Sequence, residues 1–409
     1  MKQMTRESYR LFSKGDLGNL TLTNRLMRSA TWDPSMIFSR QLDEPTLDTY
    51  RKLATGGAGV IIVGDFGVLP KPLPSQRSEV RAASSYEDVR VHGLEEIAAE
   101  VHKFSPDCRV IAQVSVGVPG RGASAVRSPF SGKAPQPLTS DEIERIVGSF
   151  AIAIEGVMND GFDGVQLHAA HGGLLARFLS PYSNQRSDAY GGSPLGRTQL
   201  IREILSEARQ RVANFPILIK LNGTDYLEGG IDPLTLQQQA KLLADAGIDA
   251  IEISGGMWEC LLRSEAELGF RPVPAPESHT RISKPEAQSY FLPHARAIDV
   301  NVPVILCGGN RDIEALERIV SEEAVDFIAM SRPLIREPDL PRRWLEGRGA
   351  SMSTCISCNG CLYHMYTSIA NGDPQPTRCL LDHEPARVRE AEEWLTNWSS
   401  ARIAKTAGD

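Results

Sequence analysis

GFDGVQLHAAHGGLLARFLSPYSNQRSDAYGGSPLGR, residues 161–197, holds the pattern from which both the fold and the chemistry of this chain are read. GFDGVQLH reads as a short strand buried on both faces: a Gly-Asp turn feeds an apolar run that stops at His168, where a barrel strand gives way to its loop. His171 follows three residues on. The helical turn expected from HAAHGGLL puts both imidazoles on one face, where they can donate two hydrogen bonds to a single oxygen. LLARFLSPYSNQRSDAYGG then runs to a helix expected near Pro194, and a loop so long and so dense in Pro, Ser, Asn, Asp and Gly is of the kind that serves function. Zinc is the other reading of the histidine pair, ranked lower because no third ligand stands nearby at a helical or hairpin spacing.

Outward from this stretch the same alternation repeats. LMRSAT (26–31), GVIIVG (59–64), RVIAQV (109–114), GVQLH (164–168), PILIKL (216–221), AIEIS (250–254), PVILC (303–307) and DFIAM (326–330) are short, branched and apolar, as strands buried on both faces should be. Between them lie helices expected over Asp43–Ala54, Val91–Phe104, Thr139–Met158, Pro194–Val212, Pro233–Ala246, Lys284–Asp299 and Arg311–Val320, the third with a capping-box start, LTSDEIERI. Strand-helix units in this number spell a (β/α)8 TIM barrel with its active site at the carboxyl ends of the strands. A doubly wound open sheet is the alternative, discounted because no G-x-G-x-x-G follows the first strand. The expected organisation is an α/β barrel over residues 1–349 with a short N-terminal hairpin cap, then a cysteine-containing extension over residues 350–409.

At 409 residues, 41% hydrophobic and 23% charged, the chain can bury a core of barrel size. A net charge of −7 without a long Lys/Arg block argues against nucleic acid and against an anionic membrane surface, which leaves small molecules as partners. No apolar run reaches membrane length and the start, MKQMTRESYRLFSKG, lacks the apolar centre of a signal peptide, so a cytoplasmic location is expected. A homo-oligomer and an external electron-transfer partner stay open.

The residues at the strand ends form a consistent set: Ala30, Thr31, Asp65, Gln113, His168 and His171, Lys220, Ser254 with Gly255 and Gly256, Gly308 and Gly309, Ser331 and Arg332. They suit a flat, phosphorylated ligand. The last glycine pair and the Ser-Arg lie where barrels bind phosphate; an amide such as Gln113 can pair with an imide edge, and an ammonium such as Lys220 can hold charge on a heteroaromatic ring.

LGNLTLTNRLMRSATW, the long stretch around His168, the GGI of LEGGI, EISGG, PVILCGGNRD and FIAMSRPLIREPDLP resemble the old yellow enzyme family of FMN-dependent, NAD(P)H-linked oxidoreductases, within the branch that includes dienoyl-CoA reductases and trimethylamine dehydrogenase. The resemblance implies FMN at the top of the barrel, with Ala30, Thr31, Gln113, Lys220, Gly308, Gly309, Ser331 and Arg332 at flavin positions. It also implies that His168 and His171 grip the oxygen of substrate or the carboxamide of nicotinamide. Three positions depart from the family pattern. Gly173 stands where the family usually has a proton-donating tyrosine, Trp32 where many members place threonine or cysteine, and Val116 where a histidine is expected. Tyr182, Cys260, Tyr226 or water are the alternative proton sources.

Four of the seven cysteines crowd the extension. Cys355, Cys358 and Cys361 in TCISCNGCLYHMY, with Cys379 further on, have the spacing of a metal motif, because thiolates on so tight a turn repel unless a cation sits among them. This looks like the four-iron cluster motif of multidomain relatives. The alternatives are a zinc site, using all four thiols or three with His364 or His383, and a metal-free vestige.

The leading expectation is an FMN-dependent reductase of electron-poor C=C bonds, with NAD(P)H as co-substrate and His168 and His171 on the substrate carbonyl. Two alternatives stand beside it: a flavin-dependent dehydrogenase or demethylase whose electrons leave through an iron-sulfur cluster, and a non-catalytic redox-carrier or sensor module.

Overall fold

The computed structural model describes residues 6–39, 42–68, 93–282 and 284–406. Eight parallel strands close into a barrel in strict chain order: β1 (Leu26–Arg28), β2 (Val60–Val68), β3 (Arg109–Val116), β4 (Gly164–Ala169), β5 (Ile217–Asn222), β6 (Ala250–Ser254), β7 (Val304–Leu306) and β8 (Phe327–Met330). All eight expected strands are present. Each is buried on both faces, so the period-two alternation separates two apolar surfaces rather than core from solvent. Val110, Ala112 and Val114 of β3, Val165 and Leu167 of β4 and Ile217 and Ile219 of β5 face outward into the layer beneath the helices. Val60, Ile62, Ile111, Leu218, Ala250, Ile305 and Phe327 fill the interior. A fully buried Val, Leu or Ile contributes roughly 1.5–3 kcal/mol, so these two layers supply most of the driving force.

The bottom of the barrel is plugged by the expected N-terminal hairpin, Gly15–Leu17 paired antiparallel with Leu20–Leu22, whose Leu17 and Leu22 are fully buried among the interior residues. Its turn needs Gly18: φ is +60°, and a Cβ there would lie 2.6 Å from the Asp249 carboxylate.

The helices begin where the sequence says they should. Asp43 caps Glu44–Thr55, Thr139 and Glu142 close a capping box on Ser140–Asn159, Ser193 caps Pro194–Arg211, and Asp232 caps Pro233–Asp245. The helix expected from Val91 runs over Leu94–Phe104, and Val91 itself lies outside the described residues. One expected helix is absent. Lys284–Asp299 is a 3₁₀ turn at Pro285–Ala287 and a single helical turn at Leu292–Ala295, broken between them at Ser289, where φ is +48°. Pro285 and Pro293 each lack an N–H, and the break lets Tyr290 and Phe291 pack onto the glycines after β7.

The extension folds back over the barrel. Cys355–Cys361 leads into a helix, Gly360–Ala370, followed by Leu380–His383 and a long helix, Arg387–Thr406. Arg311 Nη1 donates to Cys355 O (2.9 Å) and Arg332 Nη1 to Asn359 Oδ1 (2.6 Å). Thr377 Oγ1 donates to Trp32 O (2.9 Å), so the extension is stitched to the strand ends at both sides of β8. Among the described residues, no helix is long and apolar enough to cross a membrane.

Candidate active site at the barrel mouth

Above the apolar interior the inward-facing side chains turn polar, and they form one chain. Gln113 Nε2 donates to Gln166 Oε1 (2.6 Å), Gln166 Nε2 to Glu252 Oε2 (2.7 Å), and Ser29 Oγ to Glu252 Oε1 (2.7 Å). Lys220 closes it, with Nζ 3.0 Å from Ser29 Oγ and 3.2 Å from Glu252 Oε1. Glu252 is fully buried and Lys220 nearly so. Burial disfavours the ammonium, but the Glu252 carboxylate beside it more than compensates and holds the Lys220 pKa above its ordinary value. The cation is therefore fixed in charge and position. Gln113 has its amide N–H committed to Gln166, which leaves its Oε1 free to accept.

His168 is the penultimate residue of β4 and His171 lies in the turn after the strand, with ring centroids 5.0 Å apart and planes tilted by 59°. The two imidazoles do converge, but not through a helical turn: His171 adopts φ +57°, and the helix starts only at Leu174. A left-handed non-glycine residue costs on the order of 1–2 kcal/mol, so something must hold it. Asn222 at the end of β5 does so. Its Oδ1 accepts from His171 N–H (3.0 Å), while its Nδ2 donates to Asp225 Oδ1 (2.8 Å) and Gly256 O (3.2 Å). His171 Nε2 lies 2.7 Å from Ser254 Oγ. Arg177 braces the same loop from outside, with Nε on Gly172 O (3.0 Å) and Nη2 on the buried Glu259 carboxylate (2.8 Å). Burial, aided by the Lys220 charge and for His168 by its partner, holds both imidazoles well below pKa 6.5, so at neutral pH both are uncharged.

On the other side of the mouth, Thr31 Oγ1 lies 2.9 Å from Ser331 Oγ, and Arg28 Nη1 donates to Ser331 O (2.9 Å). Ala30 packs against the interior cluster between them. Gly308 and Gly309 both have positive φ, +92° and +78°; a Cβ on Gly308 would sit 2.5 Å from the Phe291 ring, and one on Gly309 2.8 Å from Tyr290. Arg332 Nη1 already donates to His279 O (2.7 Å) and Asn359 Oδ1 (2.6 Å), so any phosphate contact falls to its other N–H groups. Asp65, within the second half of β2, accepts from Ser115 Oγ (2.7 Å). The strand-end set read from sequence thus lies around one mouth. Gln166, Glu252, Ser29 and Asn222 join these residues without having been singled out in the sequence; for Gln166 and Glu252 the signal was a polar residue at an inward register position inside an apolar strand.

Two observations test whether these residues suit a flavin. The mouth carries His168 Nδ1, a buried ring nitrogen without a hydrogen-bond partner, which a polar ligand would satisfy. It also has a fixed cation for a heteroaromatic ring, an amide acceptor for an imide N–H, and side-chain-free backbone at Gly308 and Gly309. The residues fit FMN.

Cys355, Cys358, Cys361 and Cys379 are free thiols brought near one another: burial pushes Cys361 up to about 12, Arg332 opposing and the other three thiols adding to it. Among the described residues, however, no group of three or more His, Cys, Asp or Glu side chains is arranged to hold a metal ion.

Residues 10–350 match the NADH:flavin oxidoreductase / NADH oxidase family. A metal reductase of Desulforamulus reducens is 30% identical over 402 residues, covering 94% of this chain and 55% of the relative. An NADH oxidase of Thermoanaerobacter brockii is 31% identical over 369 residues, covering 86% of this chain and 53% of the relative. The chain thus spans about half the length of these relatives. Among solved structures, a 2-naphthoyl-CoA reductase in complex with 2-naphthoyl-CoA superposes with a TM-score of 0.74 at 24% identity, covering 94% of this chain and 58% of that one, a likeness of fold. With the barrel, the polar mouth and the family match in hand, the chain belongs to the NADH:flavin oxidoreductase / NADH oxidase family, the old yellow enzyme family of FMN-dependent oxidoreductases.

Proposed function

We propose that this protein takes hydride from NAD(P)H through FMN and delivers it to an electron-poor C=C bond conjugated to a carbonyl. The observation that carries this reading is the neutral imidazole pair, with ring centroids 5.0 Å apart beside a fixed cation at the mouth of an FMN-family barrel. Bound FMN would supply the two-electron centre that accepts hydride from nicotinamide and returns it to carbon.

The protein's own groups then have defined work. Lys220, kept charged by Glu252, would stabilise negative charge on the isoalloxazine ring, and Gln113 Oε1 would accept from its imide N–H. Ser331, Arg332 and the backbone around Gly308 and Gly309 would hold the phosphate end. His168 and His171 donate N–H to the substrate carbonyl oxygen. Because they are neutral they bind without a prior proton transfer, and their bonds strengthen as enolate charge gathers on that oxygen. Residues such as these, positioned by strand ends and by Asn222, need little reorganisation during the step.

The test is direct. The purified protein is expected to be yellow, or to become so with FMN, to have its flavin reduced by NADH or NADPH in stopped flow, and to be reoxidised by 2-cyclohexenone. A colourless protein that cannot be reconstituted with FMN refutes the reading. So does a flavin reduced by nicotinamide but indifferent to every activated alkene.

A further inference from the structure

We propose that Asp65 is the general acid of this site, delivering a proton to the α-carbon of the substrate, a duty for which Gly173 has no side chain. The inference rests on the ene-reduction reading above and assigns its missing proton. It begins with a register shift. Along β2 and β3, Val63 pairs with Ala112 and Phe66 with Val114, so Gly64 and Asp65 together face the single residue Gln113. Such a bulge re-aims side chains. Ile62 faces the barrel interior and Val63 the helices; unbroken alternation would turn Asp65 outward and Phe66 inward, whereas Phe66 and Val68 pack into the outer layer. The extra residue therefore frees Asp65 to face the mouth. The bulge requires Gly64, which has φ +110° and whose Cβ would lie 2.8 Å from Gln113 O.

The surroundings of the carboxyl suit an acid rather than a carboxylate. Among the described residues, Asp65 Oδ2 receives one hydrogen bond, from Ser115 Oγ at 2.7 Å, and Oδ1 has no hydrogen-bond partner. An ionised carboxylate with so few donors is poorly served, while a carboxylic acid brings its own proton. Burial raises its pKa to about 7, against the Ser115 hydrogen bond and the Lys220 charge, which pull it down. Among the described residues, Lys220 on β5 is the charged group that acts on it; Ser115 on β3 is uncharged. Gln113, which the bulge faces, pairs with Gln166 two residues before His168, and His168 pairs with Lys220, so acid, imidazole and cation stand at neighbouring positions of adjacent strands. The other candidate donors are poorer acids. Burial holds the Tyr226 and Tyr182 hydroxyls above their ordinary pKa and the Cys260 thiol near 12.

The step balances. Hydride from the reduced flavin forms the new bond at the β-carbon, and the C=C pair moves toward the carbonyl oxygen held by the histidines. That enolate pair takes the Asp65 proton to form the new bond at the α-carbon. The O–H pair stays on Asp65 as a carboxylate, which solvent reprotonates. The alkene gains one hydride and one proton, and the two electrons come from NAD(P)H.

The experiment uses the FMN-loaded protein and Asp65→Asn, which keeps the shape of the side chain. Stopped flow is expected to show reoxidation by 2-cyclohexenone slowed about 10²-fold or more, with reduction by NADH nearly unchanged. The wild-type reoxidation rate should fall as pH rises through about 7, and that step should vanish in the variant. Binding of 2,4-dinitrophenolate, which stays ionised throughout, gives a second readout from the flavin absorbance. Its affinity for wild type should weaken across the same pH interval, as a carboxylate forms beside it, and should be flat in Asp65→Asn. Unchanged reoxidation, or equal slowing of both half-reactions, overturns the proposal. If no enone reoxidises even the wild type, the ene-reduction reading fails by itself, and the phenolate titration still decides whether Asp65 faces the ligand: a step that survives in the variant overturns that too.

Discussion

Replacing Glu252 by Gln removes one charge from the most deeply buried ion pair at the mouth while keeping the side chain's size. Lys220 Nζ lies 3.2 Å from Glu252 Oε1, and the two side chains are 4% and 0% exposed. At that separation and an effective dielectric constant of about 20, their attraction is about 5 kcal/mol. Stranding one buried charge typically costs roughly 3–5 kcal/mol, in the same range. Glu252→Gln should therefore lower the unfolding free energy by about 3–5 kcal/mol. It should also weaken FMN retention, because burial without its counter-charge drives Lys220 toward the neutral amine. Lys220→Met should cost a similar amount by stranding the carboxylate, and the double variant much less than the sum, since neither charge is then left alone. Urea unfolding followed by circular dichroism on the four proteins completes the cycle. Additive losses, or a Glu252→Gln protein within about 1 kcal/mol of wild type, would show that the pair is solvated or replaceable and that the anchoring role given to it is wrong.

Two further expectations follow from the same geometry. His168 and His171 should show no NMR titration step near pH 6.5, and because their folded pKa values lie below the unfolded one, the stability they contribute is present above pH 6.5 and is lost as pH falls below it; a normal titration of either ring in the native protein contradicts the neutral pair. Gly173→Tyr should fold, since φ there is −62° and a Cβ meets nothing closer than Ala170 O at 3.5 Å; reoxidation by a large polycyclic enone should be lost while 2-cyclohexenone still turns over, and faster turnover of both would mean that glycine is a missing acid rather than cleared space.

The barrel was legible because buried parallel strands announce themselves as unbroken Val/Ile/Leu runs, and because Pro and Asp, Ser or Thr mark each helix start. The strand-end rule then located His168, Lys220 and the glycines without any contact information. Other features lay beyond local pattern. Spacing brought His171 to His168 for the wrong reason, since no propensity predicts a left-handed histidine held by an asparagine on the next strand, a contact 51 residues away. Gln166 and Glu252 sit inside GVQLH and AIEIS, where a polar residue reads as an exception until the register shows that it faces the interior. The Gly64–Asp65 bulge is likewise a pairing property of two strands. The helix expected over Lys284–Asp299 failed because its prolines and the packing of Tyr290 outweighed an amphipathic pattern.

The stitching of the extension to the barrel bears on where this protein can be cut. A knife placed after residue 349 looks harmless on a strand count, yet it would strand guanidinium groups one after another. Arg311 would lose the Cys355 carbonyl, Arg336 the Thr354 carbonyl and the Asp382 carboxylate, and Arg332 the Asn359 amide oxygen. Those acceptors arrive from a segment with no strand of its own among the described residues, so the final sixty residues behave less like a passenger than like a keystone: taken out, they leave every barrel strand intact and three arginines at the strand ends short of the groups that seat them.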